Sequence, residues 1–238
     1  MNQMSRKANI LITGSSRGLG RGLATHYAES GHVVFGCSRG EADFVHSNYH
    51  HHMVDIANEQ EVINLFSNIK REGGKVDILI NNAGIPLTRH MLLTSAAEAD
   101  KLLATNLLGA FLIIREAVKQ MKRENYGRVI NFTSIRVPLG TSGCSLYSAA
   151  KSALEHLAFS LSRELAGSDI TFNTIGPSIV AGTGMVDNLS DDALSKTRAE
   201  LLKPETISIE EVAHAIDFFR SDAARNVTNQ IVYFGGVR

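Results

Sequence analysis

Tyr147 and Lys151 stand four residues apart in the run Ser145-Leu146-Tyr147-Ser148-Ala149-Ala150-Lys151. In a helix that spacing puts both side chains on one face. A phenol titrates near about pH 10, and an adjacent ammonium favours the phenolate, which makes Tyr147 a usable general acid or base. Taken alone, a Tyr and a Lys at this spacing are as readily explained as a surface pair, so the argument depends on what accompanies them.

A second constellation opens the chain. An apolar run at 10–13 leads into Gly14-Ser15-Ser16-Arg17-Gly18-Leu19-Gly20, after which a helical pattern begins. Glycines in a strand-to-helix turn permit tight backbone geometry and bring a phosphate close to the free N–H groups of the helix start. The spacing matches neither Gly-x-Gly-x-x-Gly nor a Walker loop, since no Lys-Ser/Thr pair follows. A purely structural turn is the plain alternative. At the tip of the second strand, where an acid would bind the ribose hydroxyl of NAD, the chain has Ser38 and Arg39 instead. Arg17 and Arg39 with a serine hydroxyl suit the extra phosphate of NADP. NADPH is therefore expected over NADH, with two solvated arginines as the alternative and Glu41 close enough to keep it open.

The elements that must hold these groups alternate. Apolar, β-branched-rich runs at 10–13, 33–37, 53–55, 76–80, 128–132, 170–175 and 231–234 read as strands, several of them apolar throughout, as in a sheet covered on both faces. Helical patterns fall at 19–30, 59–71, 96–123, 145–166 and 209–221. The order predicts an α/β, doubly wound parallel sheet of Rossmann-like type. No linker or repeat divides it, so residues 1–238 are read as one domain. Residues 176–204 interrupt the alternation and read as a substrate lid, with one or two short helices within 187–200.

The balance of 24 Lys+Arg against 24 Asp+Glu, net charge +0, argues against a nucleic-acid partner. The apolar stretch at 102–114 is shorter than the roughly 18–20 residues of a membrane span, and residues 1–9 lack a secretion signal's apolar core. Cys37 and Cys144 have no metal-type spacing. No membrane association, no metal and a cytoplasmic location are expected.

With these features in place the chain resembles the short-chain dehydrogenases/reductases over nearly its whole length. Thr13-Gly14-x-x-x-Gly18-x-Gly20 matches that family's cofactor turn, Asn81-Asn82-Ala83-Gly84 its signature after the fourth strand, Asn106-x-x-Gly109 its helix asparagine, and Ser134, Tyr147 and Lys151 its catalytic set. The resemblance implies that Tyr147 protonates a carbonyl oxygen and Ser134 holds that oxygen. It implies that Lys151 binds the nicotinamide ribose and lowers the Tyr147 pKa, and that Asn106 positions a water relaying protons through Lys151. It also implies cofactor contacts at Asp55 and Ile56 (adenine), at Asn82, Ala83 and Gly84 (ribose), and at Pro177, Val180 and Thr183 (carboxamide end). A capping role for Asp55 and a turn role for 81–84 remain physical alternatives. Pro177-Ser178 departs from the usual Pro-Gly, and Gly182 reads as an insertion displacing Thr183.

Within the family the chain looks most like bacterial 3-oxoacyl-carrier-protein reductases and small-ketone reductases. The implied activity is NADPH-dependent reduction of a ketone or carrier-linked 3-oxoacyl group. An alcohol, sugar or steroid dehydrogenase working oxidatively is the alternative, and a cofactor-sensing regulatory module is a third reading, disfavoured because every catalytic residue is retained.

The lid offers Met185, Leu189, Leu194, Leu201 and Leu202 to a substrate. Arg89, His90 and Arg136 are candidates to receive an anionic group, or else are solvated charges. His50-His51-His52 reads as a surface approach to the third strand, because adjacent strand residues alternate faces and cannot converge on a metal. Cys144 reads as a small buried residue. Helices 96–123 and 145–166 carry a second apolar face through Leu107, Leu108, Phe111, Leu112, Leu154, Leu157, Phe159 and Leu161, which predicts a homotetramer or homodimer.

Overall fold

The computed structural model describes residues 7–183 and 191–237. Seven parallel strands form one sheet in the order β3-β2-β1-β4-β5-β6-β7. They are β1 Asn9–Thr13, β2 Val33–Ser38, β3 Tyr49–Met53, β4 Ile78–Asn81, β5 Gly127–Phe132, β6 Ile170–Gly176 and β7 Ile231–Tyr233. The helices are α1 Gly18–Glu29, α2 Glu59–Arg71, α3 Ala96–Leu103, α4 Ala110–Glu124, α5 Arg136–Leu139, α6 Ser145–Glu164, α7 Asp191–Glu200 and α8 Ile209–Arg220. This is the doubly wound Rossmann-like arrangement expected from the alternation.

The period of two along each central strand separates two cores. Leu11, Phe35, Leu79, Val129 and Phe172 pack beneath α2, α4 and α6. Ile10, Ile12, Val34, Ile78, Ile80 and Ile130 face the other way, against α1 and α8. Strands buried on both faces have no reason to alternate in polarity, hence their unbroken apolar runs. Strand order reverses between β1 and β4, so a crevice opens beyond their carboxyl ends, where ligands bind in open α/β sheets.

Three elements differ from the sequence reading. The histidine run is β3 itself rather than its approach, paired from Val34 opposite Tyr49 to Ser38 opposite Met53. An edge strand takes its register from its neighbour's hydrogen bonds, so the more apolar 53–55 segment lost to the one that β2 could pair. The long helix 96–123 is interrupted by a π turn, Ala104–Gly109, between α3 and α4. Gly109 is required there, because a Cβ would lie 2.8 Å from Ile56 Cγ1 and 3.0 Å from its carbonyl. Short α5, directly after β5, was not foreseen. In the proposed lid, α7 accounts for one helix; Met185 and Leu189 lie outside the described residues, while Leu201 is fully buried and bridges to Val237 instead of facing a substrate.

Candidate active site

Tyr147 and Lys151 lie on one face of α6, both buried, near the end of β5 that carries Ser134. Lys151 Nζ donates to the Phe132 carbonyl at 2.7 Å. Complete burial disfavours its charge and pulls its pKa from 10.5 down to about 8. Burial also raises the Tyr147 pKa, partly offset by a hydrogen bond to Ser134 and by the Arg136 guanidinium. Tyr147 therefore holds its proton at neutral pH. The cation that favours its phenolate is Arg136, whereas the resemblance implied Lys151; the Lys151 ammonium is turned to the β5 carbonyl.

The π turn brings in Asn106. Nearly inaccessible to solvent, its Oδ1 accepts from Ile85 N–H at 2.8 Å and its Nδ2 donates to the Ile85 carbonyl at 2.9 Å. A Cβ built on Gly84 would lie 3.3 Å from Asn106 Oδ1 and 3.4 Å from Lys151 Nζ. Three segments distant in sequence thus meet above one glycine. π turns recur where a helix must aim a side chain at a site.

The glycine turn sits across the crevice. Gly14 has φ +72°, and a Cβ at Gly20 would fall 2.2 Å from the Gly14 carbonyl, so neither position tolerates a side chain without movement. Thr13 Oγ1 accepts from Asn82 N–H at 3.0 Å and Ala83 N–H at 2.9 Å, and donates to Asn81 Oδ1 at 3.2 Å. Asn82 Nδ2 donates back to the Thr13 carbonyl at 2.9 Å. The turn after β1 and the segment after β4 are therefore a single unit. Thr13 was legible as part of a motif; that it joins the two motifs was not.

The remaining predicted contacts are distributed around this crevice. Ser16, Arg17 and Leu19 lie in or beside the turn, Arg17 exposed; Thr183 closes over it, its Cβ 3.7 Å from a Cβ built on Gly18. Thr183 Oγ1 donates to the Val180 carbonyl at 2.9 Å, while the Val180 side chain belongs to the core. The Pro177 carbonyl accepts from Ile135 N–H at 3.1 Å, tying the start of the lid to the Ser134 loop. Asp55 Oδ1 accepts from Ala57 N–H at 3.0 Å, a local contact just after β3, whereas the cap of α2 is Asn58 and not Asp55; Ile56 is buried against Gly109. Arg39 is exposed at the tip of β2 and, like Arg17, makes no ion pair among the described residues.

Of the three candidate anion receivers, the structure separates one. Arg89 pairs with Glu98 at 3.2 Å, and His90 accepts from Leu92 N–H at 3.4 Å as a cap. Arg136 instead points its Nη1 at Thr88 Oγ1, 3.0 Å, and at buried Cys144 Sγ, 3.2 Å, with no carboxylate partner among the described residues. Its guanidinium is the cation felt by Tyr147.

The arrangement fits a dinucleotide: a glycine cradle that side chains would fill, an exposed cation in the glycine turn and another at the β2 tip, and a desolvated lysine beside a bare glycine. A model of the short chain dehydrogenase family matches residues 8–194. The chain belongs to the short-chain dehydrogenase family. Among curated proteins, this dehydrogenase is 31% identical over 232 residues to the 3-oxoacyl-(acyl-carrier-protein) reductase of Escherichia coli K12, covering 95% of each chain. It is 30% identical over 243 residues to the enzyme of that name from Staphylococcus aureus Mu50, covering 98% of each. Among solved structures it is similar to an Agrobacterium tumefaciens protein provisionally described as a gluconate dehydrogenase, with TM-score 0.88, 29% identity, and coverage of 98% of this chain and 96% of that one. No helix among the described residues is long and apolar enough to cross a membrane, and no group of side chains there could hold a metal ion.

Proposed function

We propose that this dehydrogenase uses NADPH to reduce a ketone or 3-oxoacyl substrate. The observation that carries the proposal is a buried Tyr147 hydrogen-bonded to Ser134, on the same helix face as Lys151, which approaches Gly84 together with Asn106. The nicotinamide, when bound, supplies the hydride. Ser134 Oγ and Tyr147 Oη grip the substrate oxygen, and Tyr147 delivers its proton as negative charge develops there. A raised pKa suits it as an acid that must stay protonated until that moment. Lys151 holds the ribose hydroxyls beside Gly84, and with Asn106 it connects Tyr147 to solvent for reprotonation. Gly14, Ser15, Ser16, Arg17, Gly18, Leu19 and Gly20 receive the pyrophosphate side; Ser38 and Arg39 take the 2′-phosphate; Asn82, Ala83, Pro177, Val180 and Thr183 line the remainder, with Asp55 and Ile56 below the adenine. Loss of nicotinamide absorbance with a panel of ketones and 3-oxoacyl thioesters tests this, and no turnover with any of them would reject it.

Arg136 favours a second reading, oxidation of a hydroxy acid. A guanidinium with no carboxylate partner beside the reacting phenol is suited to a substrate carboxylate, and the structural neighbour's description names such a substrate. Arg136→Glu is expected to raise KM about tenfold for an anionic substrate, the scale of one charge-assisted contact, and to leave KM for a neutral ketone little changed, any effect common to both falling on kcat because the guanidinium also bears on Tyr147. Equal effects on both would reject the anion role.

Residues 176–204 are proposed as the lid of this single cofactor-binding unit. Subunit pairing is proposed through the α3, α4 and α6 surface, where Leu103, Leu107, Leu108, Phe111 and Leu157 line an apolar groove. Leu112 and Leu154 belong to the core beneath the sheet instead, and Phe159 lies under Arg163. A monomer in sedimentation at micromolar concentration would reject the pairing. A reducing, cytoplasmic setting is supported by the two buried, unbridged thiols Cys37 and Cys144.

A further inference from the structure

The histidine run that the sequence left as a surface feature is divided by the strand it forms. His50 and His52 turn toward Glu72 at the end of α2, each 3.6 Å from its carboxylate, and His50 stacks on Phe35. Tyr49 and His51 turn the opposite way, beneath the glycine turn. Tyr49 OH lies 3.0 Å from Ser15 Oγ and 2.9 Å from His51 Nδ1. His51 Nε2 lies 2.9 Å from the Gly40 carbonyl and 3.3 Å from Ser38 Oγ, and Ser38 Oγ itself donates to Gly40 at 2.7 Å. A continuous hydrogen-bonded chain thus runs from the phosphate turn to the tip of β2. The two segments it joins are those proposed to enclose the 2′-phosphate.

The geometry points to His51, anchored by Tyr49, as a positioning residue that sets the preference for a 2′-phosphorylated dinucleotide over an unphosphorylated one. This rests on the NADPH reading above.

The argument begins with the Gly40 carbonyl. It can only accept, so His51 must carry a proton on Nε2, while Nδ1 lies against the Tyr49 hydroxyl. The Tyr49 hydroxyl donates to Ser15 Oγ, so the phenol joins the His51 ring to the glycine turn. Two donors, Ser38 Oγ–H and His51 Nε2–H, share the one carbonyl. For Ser38 to donate to a phosphate it must release Gly40, and His51 remains to satisfy that oxygen when it does. Without His51, the exposed Gly40 carbonyl would turn to water once Ser38 is drawn to the phosphate, and the loop bearing Arg39 would lose its tie to the glycine turn. A ribose 2′-hydroxyl makes no comparable demand on Ser38. The penalty for losing His51 therefore falls on the phosphorylated cofactor.

The burial of Ser15 fits this assignment. Its side chain is 1% exposed and bonded to Tyr49, so its hydroxyl braces the turn from below. Gly36 makes the room: a Cβ there would lie 2.4 Å from both Ser15 Oγ and Tyr49 OH.

Equilibrium titration of the full chain with NADPH, NADH and adenosine 2′-phosphate provides the test. In His51→Ala the ratio of the NADH to the NADPH dissociation constant is expected to fall by about fivefold, the scale of one hydrogen bond, with adenosine 2′-phosphate weakened in parallel. His51→Gln, whose amide can still donate to Gly40, is expected to restore most of the ratio. If His51→Ala does not fold, Tyr49→Phe cuts the same chain at its other end and takes its place. A wild type that prefers NADPH, with a ratio that falls less than about threefold in the variant, overturns the role of His51 and leaves the cofactor reading intact. A wild type that prefers NADH overturns both.

Discussion

The two ends of the crevice are built on opposite physical terms. At the catalytic end, Tyr147 and Lys151 are almost fully buried on a long helix, where withdrawal from water shifts both pKa values. At the β2 end, Arg17 and Arg39 stand exposed on loops, and order is imposed from beneath by the chain from Ser15 to Gly40. The difference follows from the chemistry each end is suited to. Proton transfer needs a low-dielectric setting with fixed donors, whereas a dianionic phosphate is better met by solvated cations that need not be desolvated in advance. The first end depends on burial and the second on backbone position, so substitutions should damage them in different ways.

The sharpest test of the catalytic end is Tyr147→Phe, which removes the transferred proton while preserving the ring. Turnover is expected to fall about a thousandfold with cofactor binding retained, measured by steady-state kinetics beside a direct binding titration. Turnover that survives would mean that the buried end does not carry the proton.

Gly20→Ala attacks the cradle shared by both ends. Its Cβ would meet the Gly14 carbonyl at 2.2 Å and Asn82 Nδ2 at 2.5 Å, so the turn must move. Both NADPH and NADH are expected to weaken together by about thirtyfold in titration calorimetry. A loss confined to one of them would contradict a common phosphate cradle.

Lys151 tests burial through pH. Its folded pKa is about 8 against an ordinary 10.5, so between these values the unfolded chain binds the extra proton and stability rises with pH. Denaturant melts at pH 8 and pH 10 should give wild type a stability gain relative to Lys151→Met of about 2 kcal/mol. An unchanged difference would mean that the lysine is solvated. With Lys151 holding the ribose as proposed, the pH profile of reduction is expected to show a basic limb near pH 8, where its ammonium is lost.

Arg39→Asp should have the smallest effect, because an exposed cation is screened. The NADPH dissociation constant is expected to rise about tenfold relative to that for NADH, and fluorescence titration can follow it. An unaltered ratio would remove Arg39 from phosphate recognition and leave the β2 end without its principal charge.

How far the sequence could be read differs between these ends as well. The placement of the candidate site residues was legible where their relations are local: Tyr147 and Lys151 are one helical turn apart, and Gly14 to Gly20 form a single turn. The bounds of helix α2 were legible, since Val62, Leu65, Phe66 and Ile69 repeat on one face; the structure adds that Asn58 caps its start by accepting from Gln60 and Glu61 N–H. The π turn at Asn106 was not, because a six-residue irregularity within a good helix leaves no mark in periodicity. Nor was β3, whose polar histidines carry little strand propensity and acquire their register from β2. The face of His51 followed from alternation once the strand was placed, but its partners Ser38 and Gly40 are brought to it by strand pairing.

By itself the sequence determined the order of strands and helices, the positions where glycine is obligatory and the set of groups able to exchange a proton. Spacing along one chain encodes those properties directly. Only the tertiary structure decided that Arg136 rather than Arg89 faces Tyr147, that Lys151 is desolvated, and that a strand-edge histidine is linked through Tyr49 to the glycine turn. Each of these depends on neighbours far away in sequence, and it is packing that sets which charge is paired, which is buried and which is left to meet a ligand.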